Sequence, residues 1–173
     1  ANKALNKPED MKGMKIRVPD APLYTLFPKA VGANPTPIAF AEVYLALQNK
    51  TVEAQENPLP TIEAKKFYEV QKNIVLTGHV VDNLNTILAG GLWKKLSDAY
   101  KKMFTEVTQQ AAAKASGEVA AREKELVETF KGKGLKIYEP DVAAFRKHVQ
   151  EEYLASDLAK DWPAGMVDKI NAL

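Results

Sequence analysis

No cysteine occurs among the 173 residues, so a disulfide framework, a thiolate metal site and a thiol nucleophile are all excluded. A chain without thiols is at ease in an oxidising compartment, although that does not identify one. Serine is nearly as scarce. Ser97, Ser116 and Ser156 are the whole set, and none stands in the Gly-x-Ser-x-Gly surroundings of a hydrolase nucleophile. The two histidines, His79 and His148, lie far apart. Only three of the 24 cations are arginine (Arg17, Arg122 and Arg146), and 22 acidic residues leave a net charge of +2. That balance offers little to a nucleic acid. No run approaches the roughly 18 consecutive apolar residues of a membrane span, and Ala1–Lys7 lacks the apolar stretch of an uncleaved signal peptide. Metal-ligand spacing and a glycine-rich phosphate loop are also missing. The carboxylate pairs Glu123/Glu125 and Glu151/Glu152 read as solvated helix faces. The residues therefore argue against an enzyme and imply no cofactor and no metal.

What is present falls into two zones. Residues 1–92 hold eight of the ten prolines, whereas residues 93–173 are rich in Ala, Lys and Glu. In the first zone Met14–Val18 alternates as a short strand stopped by Pro19. Pro22 opens a helix that Gly32 ends near Val31. Pro35–Ile38 is extended, because each proline biases its predecessor away from the helical region. Phe40, Val43, Tyr44 and Leu47 form the stripe of an amphipathic helix. A strand over Val52–Gln55, a helix over Thr61–Val70, and β-rich runs over Asn73–Val81 and Leu84–Leu88 follow. Such alternation predicts an α/β sheet layered by helices. In the second zone Ser97 caps a helix that runs to about Phe130 and stops at Gly132, roughly 50 Å at 1.5 Å per residue. Its apolar residues recur every fourth position, which is not a coiled-coil seam, and the length suits a bridge between two lobes. A strand over Leu135–Tyr138 and helices from Asp141 to about Ala155 and over Ala164–Ala172 complete the chain.

The chemistry on offer is that of a binding surface. Arg17 ends a strand, where open α/β sheets bind their ligands. A guanidinium held there presents a planar fork to a carboxylate; the alternative is a surface arginine in an ion pair. Gln55-Glu56-Asn57-Pro58 places polar groups after a strand, fixed by a proline, or is a plain turn. Phe40 is either core or the apolar wall of a pocket.

Six segments in order carry a resemblance: Met11-Lys-Gly-Met-Lys-Ile-Arg-Val-Pro19, Gly32-Ala-Asn-Pro-Thr-Pro37, Glu42-Val-Tyr-Leu-Ala-Leu-Gln48, Gln55-Glu-Asn-Pro58, Lys66-Phe-Tyr-Glu-Val-Gln-Lys72 and Leu76-Thr-Gly-His79. Together they resemble the solute-binding proteins of tripartite ATP-independent periplasmic (TRAP) transporters. The resemblance implies a type II periplasmic-binding-protein-like α/β lobe over residues 1–92. It also implies a long lobe-spanning helix with segments completing the lobes over 93–173, and a first lobe largely missing from this chain. It further implies extracytoplasmic, periplasmic capture of a carboxylate-bearing organic acid for a membrane permease. A sensing or interaction module on the same fold is the rival reading. By the same resemblance Arg17 grips the substrate carboxylate, Asn57 hydrogen-bonds the ligand, and Phe40 packs on it. Asp20 stands where sialic-acid binders have asparagine, His79 belongs to a polar and water network, and Asp82 and Asn83 lie at a hinge crossing. The isolated piece is expected to expose apolar surface and to self-associate.

Overall fold

The computed structural model describes residues 1–80 and 84–172. Gly13, in the left-handed region at φ +75°, turns the chain into strand β1 (Lys15–Val18). Helix α1 (Pro22–Ala30) begins with a proline whose missing N–H would have had no helical partner. Strand β2 (Asn34–Pro37) lies parallel to β1 with Arg17 opposite Thr36. Its two prolines cannot donate to a further ladder, which confines β2 to the sheet edge. Helix α2 (Val43–Gln48), strand β3 (Ala54–Gln55) and helix α3 (Leu59–Ala64) follow. The order β2-β1-β3 makes β1 the central strand and brings its carboxyl end to the middle of the rim.

A second parallel pair is formed by β4 (Asn73–Val75) and β5 (Lys136–Tyr138). The first two residues stitch the two sheets together. The Asn2 N–H donates to the Glu53 carbonyl at 3.1 Å, and the Ala1 carbonyl accepts from the Asn73 N–H at 3.2 Å. Helices α4 (Gly90–Lys95) and α5 (Asp98–Gly132) come between β4 and β5, and α6 (Val142–Ala155) and α7 (Met166–Asn171) end the chain. Ser97 and Asp141 cap α5 and α6 by accepting the N–H of Tyr100 and Ala144.

Two apolar clusters build the core. One joins α2 and Val52 to Ile62, Phe67, Ile74 and Leu135, closed by Leu126 and Phe130 of α5. The other joins Met11, Met14 and Ile16 to Phe27, Ala54 and Phe145 of α6. Helix α5 packs on α3 and β5, and Leu126 and Phe130 are its buried residues. Its earlier turns leave Tyr100, Met103, Phe104, Val107 and Val119 exposed. The expected long helix is therefore present, with most of its length outside the body of the fold.

Several expectations need correction. The helix over Thr61–Val70 is broken. Alpha structure ends at Ala64, Lys66 takes a left-handed φ of +56°, and Phe67–Glu69 form a 3-10 turn. The left-handed lysine costs about 1–2 kcal/mol, offset by burying Phe67 at 2% exposure. The expected strand over Asn73–Val81 shortens to Asn73–Val75, the extent of its pairing with β5; Val81 lies outside the described residues. Residues 84–88 form no strand: Leu84 is 98% and Ile87 86% exposed, and no neighbouring backbone pairs with them among the described residues. Gly90 and Gly91 open α4 rather than end a strand.

Phe130 is fully buried and its ring lies 5.7 Å from that of Tyr68. Truncation there leaves a void that the two packed elements cannot close. Phe130→Ala is expected to lower stability by about 3–5 kcal/mol, measured by urea denaturation.

Candidate functional site

Alternation along β1 sends Ile16 into the second core cluster and Arg17 toward the opposite face, beside Phe40. Arg17 is 3% exposed. Its Nε–H donates to the Ile38 carbonyl at 2.9 Å, the first carbonyl beyond β2. Among the described residues the two terminal guanidinium nitrogens have no hydrogen-bond partner, and no carboxylate lies within ion-pair distance. Among the described residues the surface ion-pair alternative finds no partner. One edge of the fork is anchored by Ile38.

Phe40 is 41% exposed, so it is not core. It opens a 3-10 turn (Phe40–Glu42) and meets buried Phe67 edge-on at 6.2 Å between ring centres. The Arg17 guanidinium carbon lies 5.7 Å from the Phe40 centroid. Arg17 and Phe40 are thus neighbours in the folded chain.

The Gln-Glu-Asn-Pro segment leaves β3 and enters α3, with Pro58 as the residue before the helix. Asn57 Nδ2 donates to Gln55 Oε1 at 2.6 Å, which orients both side chains. Gln55, Glu56 and Asn57 line a cavity of about 100 Å³ together with Thr77, His79 and Phe27. This is a built polar wall rather than a plain turn. Arg17, Phe40 and Asp20 do not line that cavity. Asp20 is exposed just before α1, and nothing in the described contacts ties it to Arg17. Asn83 and Asp82 lie outside the described residues.

Sequence reading passed over Glu56 and Thr77 as site residues, although both stand inside the quoted motifs. His79 is held from three sides. Its Nδ1 is 2.6 Å from Thr77 Oγ1, its ring stacks on Phe27 at 4.0 Å, and its Nε2 is 3.9 Å from Glu56 Oε2. Burial pushes the His79 imidazole down to about 4. Burial also pushes the Glu56 carboxyl up to about 7, against the pull of the Arg17 charge. Near neutral pH the imidazole is neutral, and the Glu56 carboxyl is close to its own titration point. When Thr77 donates to Nδ1, the Nε2–H is on the side of the ring toward Glu56. The arrangement is a buried imidazole beside a buried carboxyl that feels the Arg17 charge.

The sequence profile of bacterial extracellular solute-binding protein, family 7, matches residues 1–158. The chain belongs to that family. The sialic acid-binding periplasmic protein of Vibrio cholerae is 44% identical to this family 7 chain over 157 residues, 91% of this chain and 49% of that protein. A TRAP periplasmic solute binding protein from Roseobacter denitrificans, solved with bound 3-deoxy-D-manno-oct-2-ulosonic acid, aligns with a TM-score of 0.91. Its identity is 44%, covering 97% of this chain and 55% of that one. One from Fusobacterium, solved with sn-glycerol 3-phosphate, aligns with a TM-score of 0.88 at 31% identity, covering 99% and 55%. The fold is thus the type II periplasmic-binding-protein-like α/β architecture. The family 7 chain spans about half the length of the curated relatives it matches.

The two shifted groups make opposite contributions to stability. Glu56 holds its proton longer in the folded state, so it costs stability as pH rises from about 4.5 to about 7. His79 resists protonation when folded, so stability is lost as pH falls from about 6.5 to about 4. Between about 4.5 and 6.5 the two slopes offset. Glu56→Gln removes the first. The variant should gain up to roughly 3 kcal/mol over the parent above pH 7, shrinking to nothing near pH 4. Chemical denaturation across that range checks this, and a pH-independent difference would contradict it.

Proposed function

We propose that this chain carries the solute-gripping half of an extracytoplasmic binding protein that captures an organic acid through Arg17. The observation that carries the reading is the half-satisfied guanidinium: buried, anchored at Nε by Ile38, with its two terminal nitrogens unpartnered among the described residues. A buried cation without a counter-ion is costly, and an incoming carboxylate with two coplanar oxygens relieves that cost. The relatives' ligands are a sialic acid, a deoxyulosonic acid and a glycerol phosphate, all anionic at neutral pH, which supports an anionic solute here.

In this reading Phe40 packs on the apolar side of the acid and Asn57, oriented by Gln55, donates to it. His79 with Glu56 orders polar groups or water behind it. By the family resemblance Asp20 and Asn83 are ligand-side residues. Residues 1–92 act as the family's second lobe, and residues 93–173 as the spanning helix with the segments that complete the lobes. The loaded protein delivers its acid in the periplasm to the membrane permease of a TRAP transporter, and binds rather than transforms its solute. The exposed apolar side chains of α4 and the first turns of α5 support self-association of this chain. Size-exclusion chromatography over a range of concentrations should show a concentration-dependent dimer, and a monomer throughout contradicts it.

A charge-assisted hydrogen bond is worth about 1.5–3 kcal/mol, and a two-point contact loses both at once. Arg17→Ala in the intact protein should lower affinity for the cognate acid about 100-fold or more, with the fold retained by circular dichroism. Arg17→Lys should recover only part of the loss, because an ammonium cannot form the planar fork. Calorimetry giving unchanged affinity in both variants would refute the reading.

A further inference from the structure

Phe40 serves two cations. Besides Arg17, the Lys65 ammonium stands over the ring, 5.2 Å from its centre. Lys65 is exposed at the C-terminal end of α3, the short helix whose other end follows the polar wall at Glu56 and Asn57. Its placement is enforced by the backbone. The left-handed Lys66 ends the helix, drives Phe67 beneath Phe40, and leaves Lys65 on the exposed side of the ring.

Two like charges at one small aromatic repel each other, and the ring's negative face offsets only part of that. The nearest acid in sequence does not neutralise Lys65. Glu63 is engaged by Arg122 of α5, whose Nε donates to Oε2 at 3.2 Å and whose second terminal nitrogen pairs with Oε1. Among the described residues Lys65 has no carboxylate within ion-pair distance. Arg122 thereby also anchors α3, and with it both the polar wall and the lysine. The result is a graded positive path: an exposed ammonium, a half-exposed aromatic face, then a buried guanidinium.

We propose that Lys65 is the outer, steering cation of the solute site, drawing an anionic solute across the exposed face of Phe40 toward Arg17. The proposal rests on the organic-acid reading above and adds to it a residue that acts on approach rather than on final grip. A charge at the rim changes the association rate and its salt dependence, whereas a buried contact changes dissociation.

The test uses stopped-flow fluorescence on the intact protein. The probes are N-acetylneuraminate, 3-deoxy-D-manno-oct-2-ulosonic acid and sn-glycerol 3-phosphate, and whichever binds the unmodified protein most tightly is carried forward. Lys65→Gln should lower the association rate constant about three- to tenfold at low salt and flatten its salt dependence, with the dissociation rate within about twofold of the parent. Lys65→Glu should lower association further, and Lys65→Arg should keep it near the parent value. An unchanged association rate and salt slope in the Gln and Glu variants overturns the steering role while leaving the organic-acid reading intact. A loss confined to dissociation overturns it too. Failure of the unmodified protein to bind any of the three overturns the organic-acid reading and the steering role together.

Discussion

One hydrogen bond organises this molecule's chemistry: the Nε–H of Arg17 on the Ile38 carbonyl. Without it, a long flexible cation at the end of a strand would turn to water, as most arginines do. With it, the guanidinium plane is fixed at the middle of the sheet rim and its other edge stays open. The bond is available because β2 runs parallel beside β1 and the chain continues past Pro37, where the Ile38 N–H still donates to the Val18 carbonyl at 3.2 Å while the Ile38 carbonyl itself is left to accept from Arg17. The prolines that hold β2 at the edge therefore help prepare the site.

The rest of the site is arranged around that cation by desolvation and by aromatic packing. Glu56 is close enough to feel Arg17 and buried enough to resist ionisation, and burial has the larger effect. His79 is neutral for the same reason, between Phe27, Thr77 and Glu56. The site near neutral pH is thus more positive than its residue count suggests. Two nearby carboxylates are subdued, Glu56 by burial and Glu63 by its ion pair with Arg122.

Helix α5 shows how little of an element's stability need come from its own body. Of its 35 residues, Leu126 and Phe130 are the buried ones, and they lock it onto α3 and β5 at one end. Tyr100, Met103, Phe104 and Val107 nearer its start are exposed. The turns near Leu126 also supply Arg122, whose pairing with Glu63 ties α5 to α3 and to the segment that leads into it.

Local chemistry was legible in the sequence wherever it acts over a few residues. The prolines marked β2 and the start of α1. Ser97 and Asp141 marked caps, the fourfold apolar recurrence marked α5, and the ordered motifs marked the family. Illegible was everything set by residues distant along the chain. Leucine and isoleucine at 84–88 favour a strand, but a strand needs a partner, and the partner is not encoded locally. Lys66 looks like any helical lysine until Phe67 must be buried, which breaks the helix and carries Lys65 to Phe40. Glu56 stood in plain view within its motif, yet its protonation depends on burial beside His79, 23 positions further on. Residue type and spacing settled which groups the protein owns; only packing decided which of them are dry, which are paired and which stay without a partner among the described residues, because desolvation and pairing belong to the assembled interior and not to the chain.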